Sequence, residues 1–85
     1  MSWRLAVDLS AQKQLRRFPR KDAERIRLVL QILENNPFSG DMQKMKGKDL
    51  IWRRRVGSYR IKYELHVSSR VIYVYEIKRR GSNTY

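Results

Sequence analysis

The chain predicts an α+β fold of order β-α-α-β-β-β, an antiparallel sheet covered on one face by a helical hairpin. Two patterns carry that expectation: helical-period apolar residues are confined to the stretch before Asn36, and three strand-period segments joined by short polar turns follow it. No linker, repeat or low-complexity tract interrupts the order, so residues 1–85 are read as one domain.

Trp3, Leu5 and Val7 alternate with Arg4, Ala6 and Asp8, the period of a half-buried first strand. Asp8 or Ser10 can cap a short helix carrying Ala11, Leu15 and Phe18, which Pro19 ends. From Arg20, a stripe of Ala23, Ile26, Val29, Leu30 and Leu33 predicts a second helix, stopped by Asn35-Asn36-Pro37. Phe38 to Asp49 has no clear periodicity and reads as a connecting loop, with room for a short strand around Gln43 to Lys46. Leu50 to Val56, Tyr59 to Val67 and Arg70 to Lys78 then read as strands joined by Gly57-Ser58 and Ser68-Ser69. The last is apolar on both faces and belongs inside the sheet.

Gly57-Ser58 suits a two-residue turn with glycine first, and such a turn sets the register on both sides. Val56 then faces Tyr59, Arg55 faces Arg60, Arg54 faces Ile61, Arg53 faces Lys62, Trp52 faces Tyr63 and Leu50 faces Leu65. One face becomes a core of Leu50, Trp52, Val56, Tyr59, Ile61, Tyr63 and Leu65, while the other carries Arg53, Arg55, Arg60 and Lys62. Like charges directly opposite cost about 0.2–1 kcal/mol per pair unless something anionic answers them. If Ser68-Ser69 is also a two-residue loop, Leu65 faces Ile72, Tyr63 faces Val74 and Arg60 faces Ile77. That count puts Arg79 on the arginine face and Arg80 on the core side; a bulge would exchange them.

Twenty Lys and Arg against 8 Asp and Glu give a net charge of +12, which attracts polyanions, nucleic acid first and an acidic protein second. No cysteine and a single histidine, His66, argue against disulfides, metal sites and cofactors. No apolar run matches a signal peptide or membrane span, so a soluble, cytoplasmic protein is expected.

Lys44-Met45-Lys46-Gly47, the run from Trp52 to Tyr63 and the ending Ile77-Lys78-Arg79-Arg80-Gly81-Ser82-Asn83-Thr84-Tyr85 resemble the RelE/ParE superfamily of toxins, in particular its ribosome-dependent messenger RNA interferases. The resemblance spans nearly the whole chain and implies a RelE-like microbial RNase-type fold. It implies a type II toxin cleaving messenger RNA in the ribosomal A site, with contacts to 16S ribosomal RNA, silenced by an acidic cognate antitoxin in a hetero-oligomer. The family's catalytic positions match Arg53, Arg55, Arg60, Arg79 and Tyr85. The first two are often lysines in the family; an arginine stays protonated and cannot act as a base there.

Cleavage by the 2′-hydroxyl needs that group deprotonated, the phosphate's charge stabilised and the 5′-oxygen protonated. Tyr85, His66, Glu64 and Glu76 are the candidates for proton steps, and guanidiniums beside Tyr85 would favour its phenolate. Lys44, Lys46, Lys48, Lys62 and Arg80 are expected to contact RNA or the ribosome through its backbone. Arg54, on the core side, is expected to snorkel at a sheet edge. Tyr73 and Tyr75 could stack on bases. Two rival readings are a ParE-like inhibitor of DNA gyrase and a non-catalytic RNA-binding module; a decayed toxin retaining only antitoxin binding is a third.

Overall fold

Alternating apolar and polar positions demand a sheet with one covered face, and the computed structural model, which describes residues 3–45, 47 and 50–79, builds one of five strands. β1 (Arg4–Val7) packs Leu5 and Val7 against the core. Asp8 then caps α1 (Leu9–Arg17), its carboxylate accepting from the Ser10 N–H at 3.2 Å. Phe18 is extended (φ −77°, ψ 155°), as a residue ahead of proline tends to be, and ends the helix. α2 (Arg20–Asn35) buries Ala23, Ile26, Val29, Leu30 and Leu33, the stripe read from the sequence, and stops at Asn36, again extended before a proline.

β2 (Met42–Lys44), β3 (Ile51–Val56), β4 (Tyr59–His66) and β5 (Val71–Arg79) complete the sheet in the order β1-β5-β4-β3-β2. The short strand allowed for in the connecting loop is β2. β5 takes the interior place expected for it. The antiparallel expectation is corrected at one edge: β1 pairs with β5 in parallel, Arg4 opposite Val71 through Val7 opposite Val74. Both helices and three strands separate these two in the chain, a connection long enough for parallel pairing.

The first hairpin follows the count at every position from Trp52–Tyr63 to Val56–Tyr59. Gly57 has φ +57° and Ser58 does not share a positive φ, the pattern of a turn with glycine first. The second hairpin obeys the count through Leu65–Ile72 and Tyr63–Val74, then departs from it. A bulge between Lys62 and Tyr63 leaves Tyr75 without a partner, so Lys62 faces Glu76, Ile61 faces Ile77, Arg60 faces Lys78 and Tyr59 faces Arg79. Val74 and Ile77 are both fully buried, and a step of three between inward residues cannot be met by a period of two. The extra residue absorbs the mismatch and keeps Ile77 against Ile61 rather than against Arg60.

The core lies between the helices and the inner sheet face, centred on Ile26, Leu33, Ile61, Tyr63, Leu65, Ile72, Val74 and Ile77. Tyr63 donates its hydroxyl to the Pro37 carbonyl at 3.3 Å; burial pushes this phenol up to about 12, against the opposing charge of Arg54. The expected core face is corrected at Leu50, which precedes β3 and is 48% exposed, while Trp52 packs half-buried against the core. Among the described residues no helix is long and apolar enough to cross a membrane.

Candidate functional site

The helices cover one face of the sheet, and the other is left open to collect the polar parity of β3, β4 and β5. The register sorts that face into rows. Arg55, Arg60 and Lys78 stand side by side across three strands at the end nearest the Gly57-Ser58 turn. One step along the strands come Gln43, Arg53, Lys62 and Glu76. Glu64 and Tyr73 follow, and His66 and Val71 lie beyond.

These rows differ in how their charges are answered. In the second, Arg53 donates to the Gln43 side chain at 2.9 Å, and Lys62 forms an ion pair with Glu76 at 3.3 Å, both side chains about three-quarters buried. In the first, Arg55 lies 4.0 Å from Asp41 with both side chains exposed, a contact worth little. Among the described residues neither Arg60 nor Lys78 has an ion pair. Asp41, Gln43, Arg53, Arg55, Tyr59 and Arg60 enclose a shallow concavity of about 210 Å³.

The short strand β2 builds one wall of this concavity, and Arg54 holds the approach to it. Its guanidinium lies on the helix side, donates to the Ser39 carbonyl at 3.3 Å and leaves its Nε buried without a partner. Gly40, at φ +81°, sits directly on that guanidinium, where a Cβ would overlap it. The Asp41 carbonyl then accepts from the Arg55 N–H at 2.9 Å, tying loop to strand.

Of the expected catalytic set, the structure brings together Arg53, Arg55 and Arg60. Arg79 is corrected: the bulge turns it to the parity of buried Tyr59, whose phenol its charge acts upon, and Lys78 stands on the open face opposite Arg60, where the count had Ile77. Tyr85 and Arg80 lie outside the described residues, as do Lys46 and Lys48. Lys44 pairs with Trp52 on the helix-side parity, away from the arginines. Lys62 is on the open face but neutralised by Glu76.

The tyrosines that are described are poor bases. Burial and the hydrogen bond to Asp22, 2.7 Å from its hydroxyl, raise the pKa of Tyr59. Tyr73 is raised by donating to Asp8 at 2.7 Å, and Tyr75 by burial and the nearby Glu76 and Glu64. His66 bonds Glu64 at 2.9 Å, six positions along β4 from Arg60, or about 20 Å at strand spacing. Sequence reasoning missed Lys78, Asp41 and Gln43. The step from Val74 to Ile77 was a readable sign for the first; the aperiodic loop held none for the others.

Compared with known proteins, residues 5–84 match the family model described as ParE toxin of type II toxin-antitoxin system, parDE. The RelE1 protein of Methanocaldococcus jannaschii is 25% identical over 83 residues, which cover 94% of this chain and 92% of that protein. The archaeal RelE–RelB complex from Pyrococcus horikoshii superposes with a TM-score of 0.83 at 28% identity, covering 96% of this chain and 99% of that one. The isolated RelE toxin of E. coli shares the fold at a TM-score of 0.80 and 19% identity, over 99% of this chain and 92% of that one.

Proposed function

The chain belongs to the ParE toxin family of type II toxin–antitoxin systems, and from that premise we propose that it is an endoribonuclease toxin that cuts messenger RNA in the ribosomal A site. One observation carries the reading: Arg55, Arg60 and Lys78 are set in one cross-strand row with no adequate counter-charge among the described residues, beside a concavity that Arg53 completes. A folded protein gains nothing from that row by itself, whereas a phosphodiester supplies the missing charge.

In this reading Arg60 and Arg53 grip the scissile phosphate, and Arg55 and Lys78 stabilise the charge that builds on it. The 2′-oxygen attacks phosphorus as its proton passes to Tyr85, the P–O5′ bond breaks, and the departing 5′-oxygen takes up a proton. The products are a 2′,3′-cyclic phosphate and a 5′-hydroxyl. Tyr85 is assigned as base because every described tyrosine with a shifted pKa is held toward its protonated form. Lys78 is the one member of the row able to yield a proton, since guanidinium does not. Arg79 belongs to the site as a contact from the strand end, reaching RNA from the helix side. Lys44, Lys46, Lys48 and Arg80 follow the ribosomal RNA backbone.

The P. horikoshii relative was solved with RelB, and the +12 charge of this chain suits an acidic antitoxin that covers the same row. The test is a cell-free translation reaction with the purified chain. Message should be cut only when ribosomes engage it, with metal chelators added, and Arg60→Ala should stop the cutting while the fold survives. Cutting of free RNA at equal rate, or none with inhibition of gyrase supercoiling instead, overturns the proposal in favour of a general nuclease or a gyrase inhibitor.

A further inference from the structure

The open face continues past its cationic rows into a different chemistry. Tyr73 and Tyr75 lie there with ring centroids 6.5 Å apart and planes 22° from parallel. The bulge makes this possible: with Tyr75 unpaired, it and Glu76 both leave the core side, between buried Val74 and Ile77. Tyr73 is pinned by the hydrogen bond of its hydroxyl to Asp8, the cap of α1, so its ring has a set direction. Glu64 is its cross-strand neighbour.

We propose that Tyr73 and Tyr75 form a stacking platform for an unpaired RNA base next to the phosphate held by Arg55, Arg60 and Lys78. Aromatic faces take any base, and the half-buried tyrosines offer them without further ordering. The carboxylates around them repel phosphate but accept from an exocyclic amine, so an amine-bearing base (cytosine, adenine or guanine) fits here and the backbone does not. From Arg60 to Glu64 is four strand positions, about 13 Å, within reach of a nucleotide neighbouring the bound phosphate. The sheet face thus divides its labour, phosphate at the turn end and base beyond. The platform rests on the reading that the row binds an RNA phosphate.

The test is binding of a 2′-O-methyl RNA hexamer, which cannot be cut through its 2′-oxygen, compared with binding of inorganic polyphosphate, which has no bases. Tyr75→Leu and Tyr73→Leu should each weaken the hexamer about tenfold. Polyphosphate affinity and the salt dependence should stay at parental values, since no phosphate contact is lost. Tyr75→Trp should restore the hexamer. The platform is overturned if the leucine variants keep hexamer affinity, if polyphosphate weakens in proportion, or if tryptophan fails to rescue a folded protein. A chain that binds the hexamer through Arg60 with Tyr75→Leu unchanged refutes the platform alone; one that neither cuts messages nor binds the hexamer refutes the nuclease reading beneath it.

Discussion

Two neighbouring rows of one sheet face treat charge in opposite ways. The row of Gln43, Arg53, Lys62 and Glu76 is closed by a largely buried Lys62–Glu76 ion pair, while Arg53 keeps its charge and donates to the neutral Gln43. Arg55, Arg60 and Lys78, one step along the same strands, have their charges almost unanswered among the described residues. Strand pairing is alike, but Arg53, Lys62 and Glu76 are part-buried while Arg55 and Lys78 are exposed, so the deeper row pairs its lysine and the outer row faces solvent. The closed row supports the fold; the open row costs it something, and that cost makes sense only if an anion completes it.

Arg60→Ala attacks the open row at its centre and carries the largest expected effect. Message cleavage should fall by about 10²–10³, the usual loss when one donor to a developing oxyanion is removed. Next comes Gly40→Ala, which strains a φ of +81° and pushes a methyl into the Arg54 guanidinium. Denaturant unfolding should show a loss of about 1–2 kcal/mol, with cleavage reduced in what stays folded because the wall bearing Asp41 moves.

Lys78→Met and Arg79→Met sharpen the comparison, because strand counting and the observed bulge rank them oppositely. Initial rates on programmed ribosomes should fall about tenfold for Lys78→Met, and more than for Arg79→Met. Equal rates for parent and Lys78→Met would refute its membership of the row. Glu76→Gln opens the closed row and should have the smallest effect. Losing a part-buried ion pair costs about 1 kcal/mol of stability, and one more uncompensated lysine should steepen the salt dependence of RNA binding.

The extent to which this was legible depends on what set each register. Gly57-Ser58 is a turn whose length admits one pairing, so the facing of Arg55 and Arg60 could be counted from residues alone. The second hairpin was legible as far as Tyr63 and Val74. Beyond them the inward step from Val74 to Ile77 forced a bulge, and an assumed strict alternation exchanged Lys78 for Arg79. β1 was recognisable by alternation, which says nothing of strand direction, so its parallel partner was not. The wall of Asp41 and Gln43 comes from a loop with no period, where tertiary pairing rather than local pattern makes the strand.

The most direct test is equilibrium unfolding of the parental chain and Arg60→Leu at low salt, each with and without a 2′-O-methyl RNA hexamer. Without RNA the variant should be at least as stable as the parent, because a repulsive contact has gone. With RNA the parent should gain stability and the variant should lose most of that gain. A variant that is less stable without RNA, or that gains as much from RNA as the parent, contradicts the claim that this row is built for a phosphate.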